Sequence, residues 1–263
     1  MPIIEDQLFR RIKKQAGQAI GDFNLIEEGD RIAVGISGGK DSYTLLHILD
    51  SLRRRAPIRY ELVAVNIDPG FSGYRKDLIE AHLRAHGFPY HLESTDCSAI
   101  IDAKLRPGSS YCAFCARLRR GVLYTVADRL GCNKLALGHH LDDFIETLLL
   151  NQFYIGTLAA MSPRLLADNG RHTVIRPLVY VEEARIVEFS ERNAFPIVCC
   201  SCPVVGATDQ KRQHMKQLIS ELAKENPQLR RSLIGALGNV QPRHLMDPRL
   251  TSFAPLGKSP DMV

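Results

Sequence analysis

RIAVGISGGKDSYTLLHILDSLRRR, residues 31–55, is the stretch from which the fold can be read. RIAVGI (31–36) is a short apolar run of strand length, and DSYTLLHILDSLRRR (41–55) reads as a helix. The turn between them, GISGGKDS (35–42), is rich in glycine. A strand, a glycine turn and a helix form the first half of a βα unit. In an open α/β sheet such turns lie at the carboxyl edge of the strands, where ligands bind.

The same alternation continues outward. YELVAVNID (60–68) is a second strand, followed by a helix around 75–86, and PYHLEST (89–95) is a third. CARLRRGVLYTVADRLG (115–131) is helical and closes on a glycine, KLALG (134–138) is a fourth strand, and DDFIETLLLNQF (142–153) is a helix. TVIRPL (173–178) is the fifth strand, before a helix at 181–193. Continuous apolar strands between helices predict an α/β fold: a parallel five-stranded sheet with helices on both faces. Residues 1–28 form an amphipathic N-terminal helix, with Leu8, Phe9, Ile12, Ala16, Ala19, Ile20 and Phe23 at helical spacing. The main domain is expected over 29–200 and a C-terminal helical segment over 201–250. That segment holds two helices within 207–239, broken at Asn226–Pro227, and a loose tail follows at 251–263.

Composition narrows the class. The chain has 263 residues, 45% hydrophobic and 24% charged, which fits a folded domain. No apolar run approaches the ~20 residues that span a bilayer. The N-terminus has no apolar secretory block, so a cytoplasmic location is expected. The net charge of +5 does not by itself mark a nucleic-acid binder, but the arginines cluster, notably Arg117, Arg119 and Arg120. Seven cysteines without a secretory signal argue for metal binding or catalysis over a disulfide framework. Cys97 and Cys132 stand alone and read as small buried hydrophobes.

The glycine turn is not a Walker A loop, which would need glycine where Val34 stands and Ser or Thr where Asp41 stands. It is still suited to phosphate. Gly38 and Gly39 let the backbone approach an anion, the next helix offers unpaired N–H groups, and Ser37, Ser42 and Lys40 add donors and charge. The plain alternative is a glycine turn with an ordinary helix cap.

GHHLDD (138–143) follows the fourth strand and therefore reaches the same edge. Asp142 and Asp143 open a helix, where negative charge is favourable in any protein. In a functional reading Asp143 and Asp41 together position Mg²⁺ against phosphate oxygens. Asn66 and Ile67 end the second strand at that edge and are placed to grip adenine or ribose, and Arg176 is a further candidate.

YCAFCARLRR (111–120) and VCCSCPVVG (198–206) carry the remaining cysteines. Each holds a C-x-x-C-like pair, so a four-cysteine zinc site across Cys112, Cys115, Cys199 and Cys202 competes with an iron–sulfur site.

SGGKDS resembles the PP-loop of the ATP pyrophosphatase superfamily. GDFNLIEEGDRIAVGISGGKDSYTLL, CAFCARLRRGVLY, LALGHHLDD and FPIVCCSCPVVG, taken in order, resemble the tRNA 2-thiocytidine synthetases over about residues 10–250. The resemblance implies ATP bound by Ser37, Gly38, Gly39, Lys40, Asp41 and Ser42, with Asn66, Ile67, Gly138, Asp143 and Arg176 completing the site. It also implies Mg²⁺ and a [4Fe–4S] cluster on Cys112, Cys115 and a third cysteine. Anchoring the alignment on the C-P-x-x-G run gives Cys202; anchoring it on FPI without gaps gives Cys200. Cys202 is the choice here. The family motif often carries another cysteine where this chain has Val205.

The implied reaction is adenylation of the cytidine base at anticodon-loop position 32, then sulfur transfer, releasing pyrophosphate and AMP. Lys40 and Asp41 are the expected catalytic residues, Asp41 being the first candidate for a general base. Arg117, Arg119 and Arg120 would hold tRNA. The expected partners are tRNA and a sulfur donor of the cysteine desulfurase type, and members of the family often form homodimers. Rival readings are a PP-loop 2-thiouridine synthetase and a non-catalytic, zinc-stapled RNA-binding protein. The former commonly carries cysteine pairs at the chain ends, which this sequence lacks.

Overall fold

The apolar run at the start of the glycine turn does become a doubly covered strand. In β1 (Arg31–Gly35), Ile32, Ala33 and Val34 are all fully buried. The computed structural model describes residues 3–106, 108–168, 170–204 and 210–250. β1 pairs in parallel with β2 (Glu61–Asp68) on one side and β4 (Lys134–Ala136) on the other. β3 (Tyr90–Ser94) extends the sheet beyond β2, and β6 (Thr173–Ile175) extends it beyond β4. β5 (Arg164–Leu166) pairs antiparallel with β6 at the edge, giving the order β3-β2-β1-β4-β6-β5.

The sheet thus has six strands where the sequence predicts five. β5 carries no strand signal: it is three residues long and entirely exposed, so no buried face imposes an apolar alternation on it. The fifth predicted strand is also shorter than TVIRPL, because β6 stops at Ile175 before the turn at 177–180.

Nine α-helices are described. α1 (Gln7–Asp22), α2 (Lys40–Arg53) and α7 (Glu183–Arg192) share one face of the sheet with α3 (Lys76–Ala85). α4 (Cys97–Lys104) and α5 (Tyr111–Arg129) follow β3, and α5 covers the other face with Leu123, Val126 and Ala127. Alternation along β1 divides the two cores, Ile32 and Val34 facing α2 while Ala33 faces α5. α1 is part of the first core: Phe9, Ile12, Ala16 and Ala19 are buried, and Phe9 packs on Phe189 with ring centroids 5.6 Å apart. Each large apolar side chain so buried contributes about 1.5–3 kcal/mol.

α6 (Leu141–Leu150) runs on into a π-helical turn at Asn151–Ile155, which Gly156 ends at φ 73°. α8 (Gln210–Glu225) and α9 (Leu229–Ala236) form a third apolar cluster with α6, through Met215 and Ile219 against Leu141, Ile145 and Leu149. The break at Asn226–Pro227 falls where the sequence places it. Residues 207–209 of the predicted helical stretch, Val205 and the tail 251–263 lie outside the described residues. α4 is not anticipated by the sequence; it is a short helix that buries little beyond Cys97 and Ile101. Among the described residues no helix is long and apolar enough to cross a membrane.

Candidate active site

Strands β1, β2 and β3 succeed one another outward in one direction, and β4 returns to the other side of β1. The strand order therefore reverses between β1 and β4. The loops leaving these two strands, 36–39 and 137–140, flank the crevice in which α/β sheets bind ligands. The two motifs lie on either side of this crevice.

The glycine loop is held from three directions. Gly38 has φ +84°, and an added Cβ would stand 2.8 Å from Val198 Cβ and 3.2 Å from Ile79 Cδ1. Its carbonyl accepts from the Val198 amide at 2.9 Å. Gly39 is the N-cap of α2; its N–H reaches Ser37 Oγ at 3.3 Å and its carbonyl accepts from Ser42 Oγ at 2.8 Å. Gly138 closes the third side, since a Cβ there would meet the Asp41 carbonyl carbon at 2.9 Å and Ser42 N at 3.1 Å. Only glycine allows β4's loop to lie this close to the start of α2.

Charges converge over this loop. Lys40 Nζ lies 3.3 Å from Asp41 Oδ1 and 3.0 Å from Glu183 Oε1. Burial opposes the Lys40 ammonium, but Asp41 and Glu183 outweigh it and raise its pKa. Burial raises the Asp41 carboxyl in spite of Lys40 and His140. Burial alone would raise Glu183 as well, yet hydrogen bonds from Lys216 and Lys40 bring it down to about 2. Buried His140 places Nε2 3.8 Å from Asp41 Oδ1, 3.5 Å from Asp143 Oδ2 and 3.9 Å from Glu183 Oε1. The Asp143 carboxylate accepts the His140 amide at 3.0 Å and caps α6, as its place in the helix predicts. Asp142 serves the scaffold: it accepts the Glu183 amide at 2.8 Å and pairs with Arg230 Nε at 2.7 Å.

Among the described residues, the buried polar atoms here without a hydrogen-bond partner include Asn66 Oδ1, His140 Nδ1 and Asp41 Oδ1, the last being in ion-pair contact with Lys40, whose hydrogen bond goes to Asp41 Oδ2. Asn66 spends its amide donors on the Ile36 carbonyl and Tyr74 Oη, each at 2.7 Å, which fixes the orientation of its oxygen. Ile67 beside it is buried in the sheet. Arg176 is buried at the end of β6, where Nε donates to His139 Nδ1 at 3.2 Å and Nη1 to the Ser162 carbonyl. Burial and the guanidinium of Arg176 lower the His139 pKa to about 4, so this ring is a neutral acceptor.

The cysteines reach the same crevice. Cys112 and Cys115 lie in the first turns of α5, which begins at Tyr111, with Ser110 Oγ capping from the Ala113 amide at 3.3 Å. The spacing of three places both thiols and Arg119 on neighbouring parts of one helix face. Burial raises the Cys115 thiol, opposed by Arg119 and reinforced by Cys97, Cys200 and Cys202, so the two cysteine groups share one electrostatic neighbourhood. Cys200 Sγ and Cys202 Sγ are 3.3 Å apart across Ser201, whose φ is +53°. All seven cysteines are free thiols, with Cys97 and Cys132 buried as expected. Arg117 and Arg120 are exposed and Arg119 is half-buried.

Comparison with known proteins decides the family. Residues 7–198 match the model of a PP-loop domain. The tRNA-cytidine(32) 2-sulfurtransferase of Syntrophotalea carbinolica is 73% identical over 253 residues, covering 96% of this chain and 98% of its own. That of Geobacter metallireducens is 64% identical over 250 residues, covering 95% and 97%. This chain belongs to the tRNA-cytidine(32) 2-sulfurtransferase family. Its fold is also that of the U34-tRNA thiolase NcsA from Methanococcus maripaludis, solved with its [4Fe–4S] cluster. There the TM-score is 0.70 at 21% identity, over 89% of this chain and 80% of that one.

In this 2-sulfurtransferase family member the sequence motifs omit part of the site. Glu183, Glu146, Lys216, Arg212 and His140 surround Lys40 and Asp143, and four of the five come from α6, α7 and α8, outside the recognised motifs. His140 alone was in view, as part of GHHLDD. The others look like ordinary solvated helix charges in the sequence, and only tertiary packing turns them inward.

Proposed function

We propose that this chain converts cytidine 32 of tRNA to 2-thiocytidine, using ATP to activate the base oxygen that sulfur then replaces. The observation that carries this reading is the bond between Val198 N and Gly38 O, at 2.9 Å. It fastens the segment bearing Cys199, Cys200 and Cys202 directly to the phosphate loop. A reaction that adenylates one atom of a base and then brings sulfur to the adjacent carbon needs its two chemistries this close together.

The residues fit the groups this activity requires. Asp41 Oδ1 is buried and makes no aligned hydrogen bond, facing the Lys40 ammonium at 3.3 Å, so it lies where a cation is favoured; with Asp143 it would hold Mg²⁺, which neutralises phosphate oxygens. Asn66 Oδ1 suits a donor on the adenosine, with Ile67 and Arg176 completing that side. The thiols of Cys112, Cys115 and Cys202 would hold a [4Fe–4S] cluster. Cys115 responds electrostatically to Cys200 and Cys202, so the two cysteine groups are neighbours, and an all-thiolate donor set is the one iron–sulfur clusters take. When bound, the cluster supplies sulfur at the iron that three protein ligands leave open.

The chain's own residues then divide the work. Ser37, Gly38, Gly39 and Ser42 present N–H and hydroxyl donors to the triphosphate at the start of α2. Lys40 offsets the charge that grows as O2 of the cytosine attacks the α-phosphorus and pyrophosphate departs. Glu183 and Lys216 hold Lys40 in place. Asp41 is the candidate for accepting a proton. Gly138 brings the GHHLDD loop against Asp41. Arg117, Arg119 and Arg120 hold tRNA phosphates beside the cysteines, and the splayed base of an anticodon loop enters between them and the phosphate loop.

Along the chain, we assign ATP chemistry to 29–200, cover of one sheet face to 1–28 and closure over the crevice to 201–250. The working context is the cytoplasm, with a cysteine desulfurase as sulfur donor and a homodimer as the assembly. The test is anaerobic incubation of the full chain with ATP, Mg²⁺, sulfide and tRNA, followed by nucleoside mass spectrometry. The expected result is tRNA-dependent AMP release with 2-thiocytidine at position 32. Thiolation of a uridine instead, or AMP release with no thiolated nucleoside, would overturn the reading.

A further inference from the structure

Away from the phosphate loop, a cavity of about 530 Å³ opens between the N-terminal segment, α2 and the end of α3. His47 of α2 and His86 line it, alongside Glu5 and Asp50. His82 and His86 are four residues apart in the sequence HLRAH, so they share a helix face at the C-terminal end of α3. His47 Nε2 lies 2.9 Å from His82 Nε2, and one ligand nitrogen from each of the three rings falls within 4.8 Å of the others. We propose that His47, His82 and His86 form a binding site for a divalent transition-metal ion of the zinc class, separate from the cysteines.

The ring chemistry is that of a metal site. His86 Nδ1 lies 2.9 Å from the His82 carbonyl, and since a carbonyl only accepts, Nδ1 carries the proton. The backbone thereby holds one nitrogen of the His86 ring, the arrangement in which a hydrogen bond orients a ligating ring. Burial, with the neighbouring histidines, lowers His47 to about 2 and His82 to about 4, so both rings are neutral and able to ligate at physiological pH. Tetrahedral zinc at about 2.0–2.1 Å from nitrogen sets its ligand atoms about 3.3 Å apart, a few tenths beyond the present His47–His82 separation. Without metal these two nitrogens share one hydrogen. On metal binding the ring that carries it moves the proton to Nδ1, and each ring donates one lone pair. Glu5 lines the same cavity, so a carboxylate or water would supply the fourth position.

The site also lies on a path to the active centre. His47 stacks on Phe195 with centroids 5.4 Å apart, and Phe195 precedes the Val198 that is bonded to Gly38. The competing account is three core histidines packed as aromatic rings, with a shared hydrogen bond and no metal.

The test uses the full chain with Cys112, Cys115, Cys199, Cys200 and Cys202 replaced by serine, so that no crevice thiol competes. Cobalt(II) titration should give one equivalent bound, with ligand-field bands, no thiolate charge-transfer band, and displacement by zinc. Zinc should raise the thermal midpoint. His86→Gln, at the half-buried end of α3, should weaken cobalt binding at least tenfold while leaving the circular dichroism spectrum unchanged. The same titration on the unsubstituted chain should show ligand-field bands that His86→Gln removes, which covers a serine variant that fails to fold. No cobalt uptake by either chain, or uptake indifferent to His86→Gln and His82→Asn, would overturn the proposal.

Discussion

The amide of Val198 donates to the carbonyl of Gly38 at 2.9 Å, and the Val198 side chain fills the space a Cβ on Gly38 would need. One residue thereby packs against the phosphate loop and starts the cysteine segment. Gly38→Ala should disturb both at once. The left-handed φ of +84° costs an L-residue about 1–2 kcal/mol, and the new methyl would stand 2.8 Å from Val198 Cβ. The expected outcome is a lower thermal midpoint with ATP turnover and iron content falling together. Gly39→Ala, whose Cβ would meet only Ser37 Oγ at 3.4 Å, is the control and should keep its iron. Iron content indifferent to Gly38→Ala would separate the two sites.

Removing the Lys40 ammonium should affect chemistry more than folding. Lys40→Met should reduce tRNA-dependent AMP formation by roughly 10²–10³-fold, the scale of losing one preorganised charge at a developing anion. tRNA binding, measured by filter retention, should stay within about twofold, because the arginines of α5 proposed to hold tRNA are untouched. Glu183→Gln should give a smaller loss, on the order of tenfold, since Lys40 keeps its charge but loses its 3.0 Å partner. Equal losses in the two variants would mean that Lys40 acts only through Glu183.

What could be read in advance was local. β1, the glycine turn and α2 are contiguous, so one apolar run and one glycine pair reveal them, and the strand order then puts GHHLDD opposite without further information. β5 and α4 bury too little to leave a periodic trace. The ring of charges around Lys40 was not legible for another reason: Glu183 and Lys216 lie far from it in sequence, and a glutamate or lysine on a helix is ordinary until packing turns it inward. The histidine group shows both cases, with His82 and His86 displaying helical spacing and His47 giving no hint of its company.

Glu146 predicts a pH dependence. It is buried on α6, with Lys216 at 3.8 Å and Arg212 at 3.9 Å, yet burial prevails and raises its carboxyl to about 7. An unfolded glutamate ionises near pH ~4.3. Between that pH and about 7 the unfolded chain releases a proton that the folded chain keeps, so this residue's contribution to stability falls as pH rises through the window. Glu146→Gln should remove that slope. Denaturant unfolding should show a gain on the order of 1–3 kcal/mol at pH 8 and almost none at pH 4. A loss at pH 8 would show that the ion pairs with Lys216 and Arg212 outweigh burial.

The third ligand of the proposed cluster can be assigned by single substitutions. Cys200 and Cys202 place their sulfurs 3.3 Å apart, so position alone favours neither, and Cys115 responds electrostatically to both. Cys202→Ser should abolish the visible absorption of the anaerobically purified chain and reduce iron to near zero, as Cys112→Ser and Cys115→Ser should. Cys200→Ser should keep about four irons, with 2-thiocytidine formation within a fewfold of the parent chain. AMP formation should fall far less than thiolation in the iron-free variants, because Lys40 and the loop amides do not depend on the thiols for their own hydrogen bonds. The opposite pattern, iron retained in Cys202→Ser and lost in Cys200→Ser, would move the third ligand to Cys200. Iron retained in both single variants and lost only in the double would mean that either sulfur can serve, as their 3.3 Å separation permits.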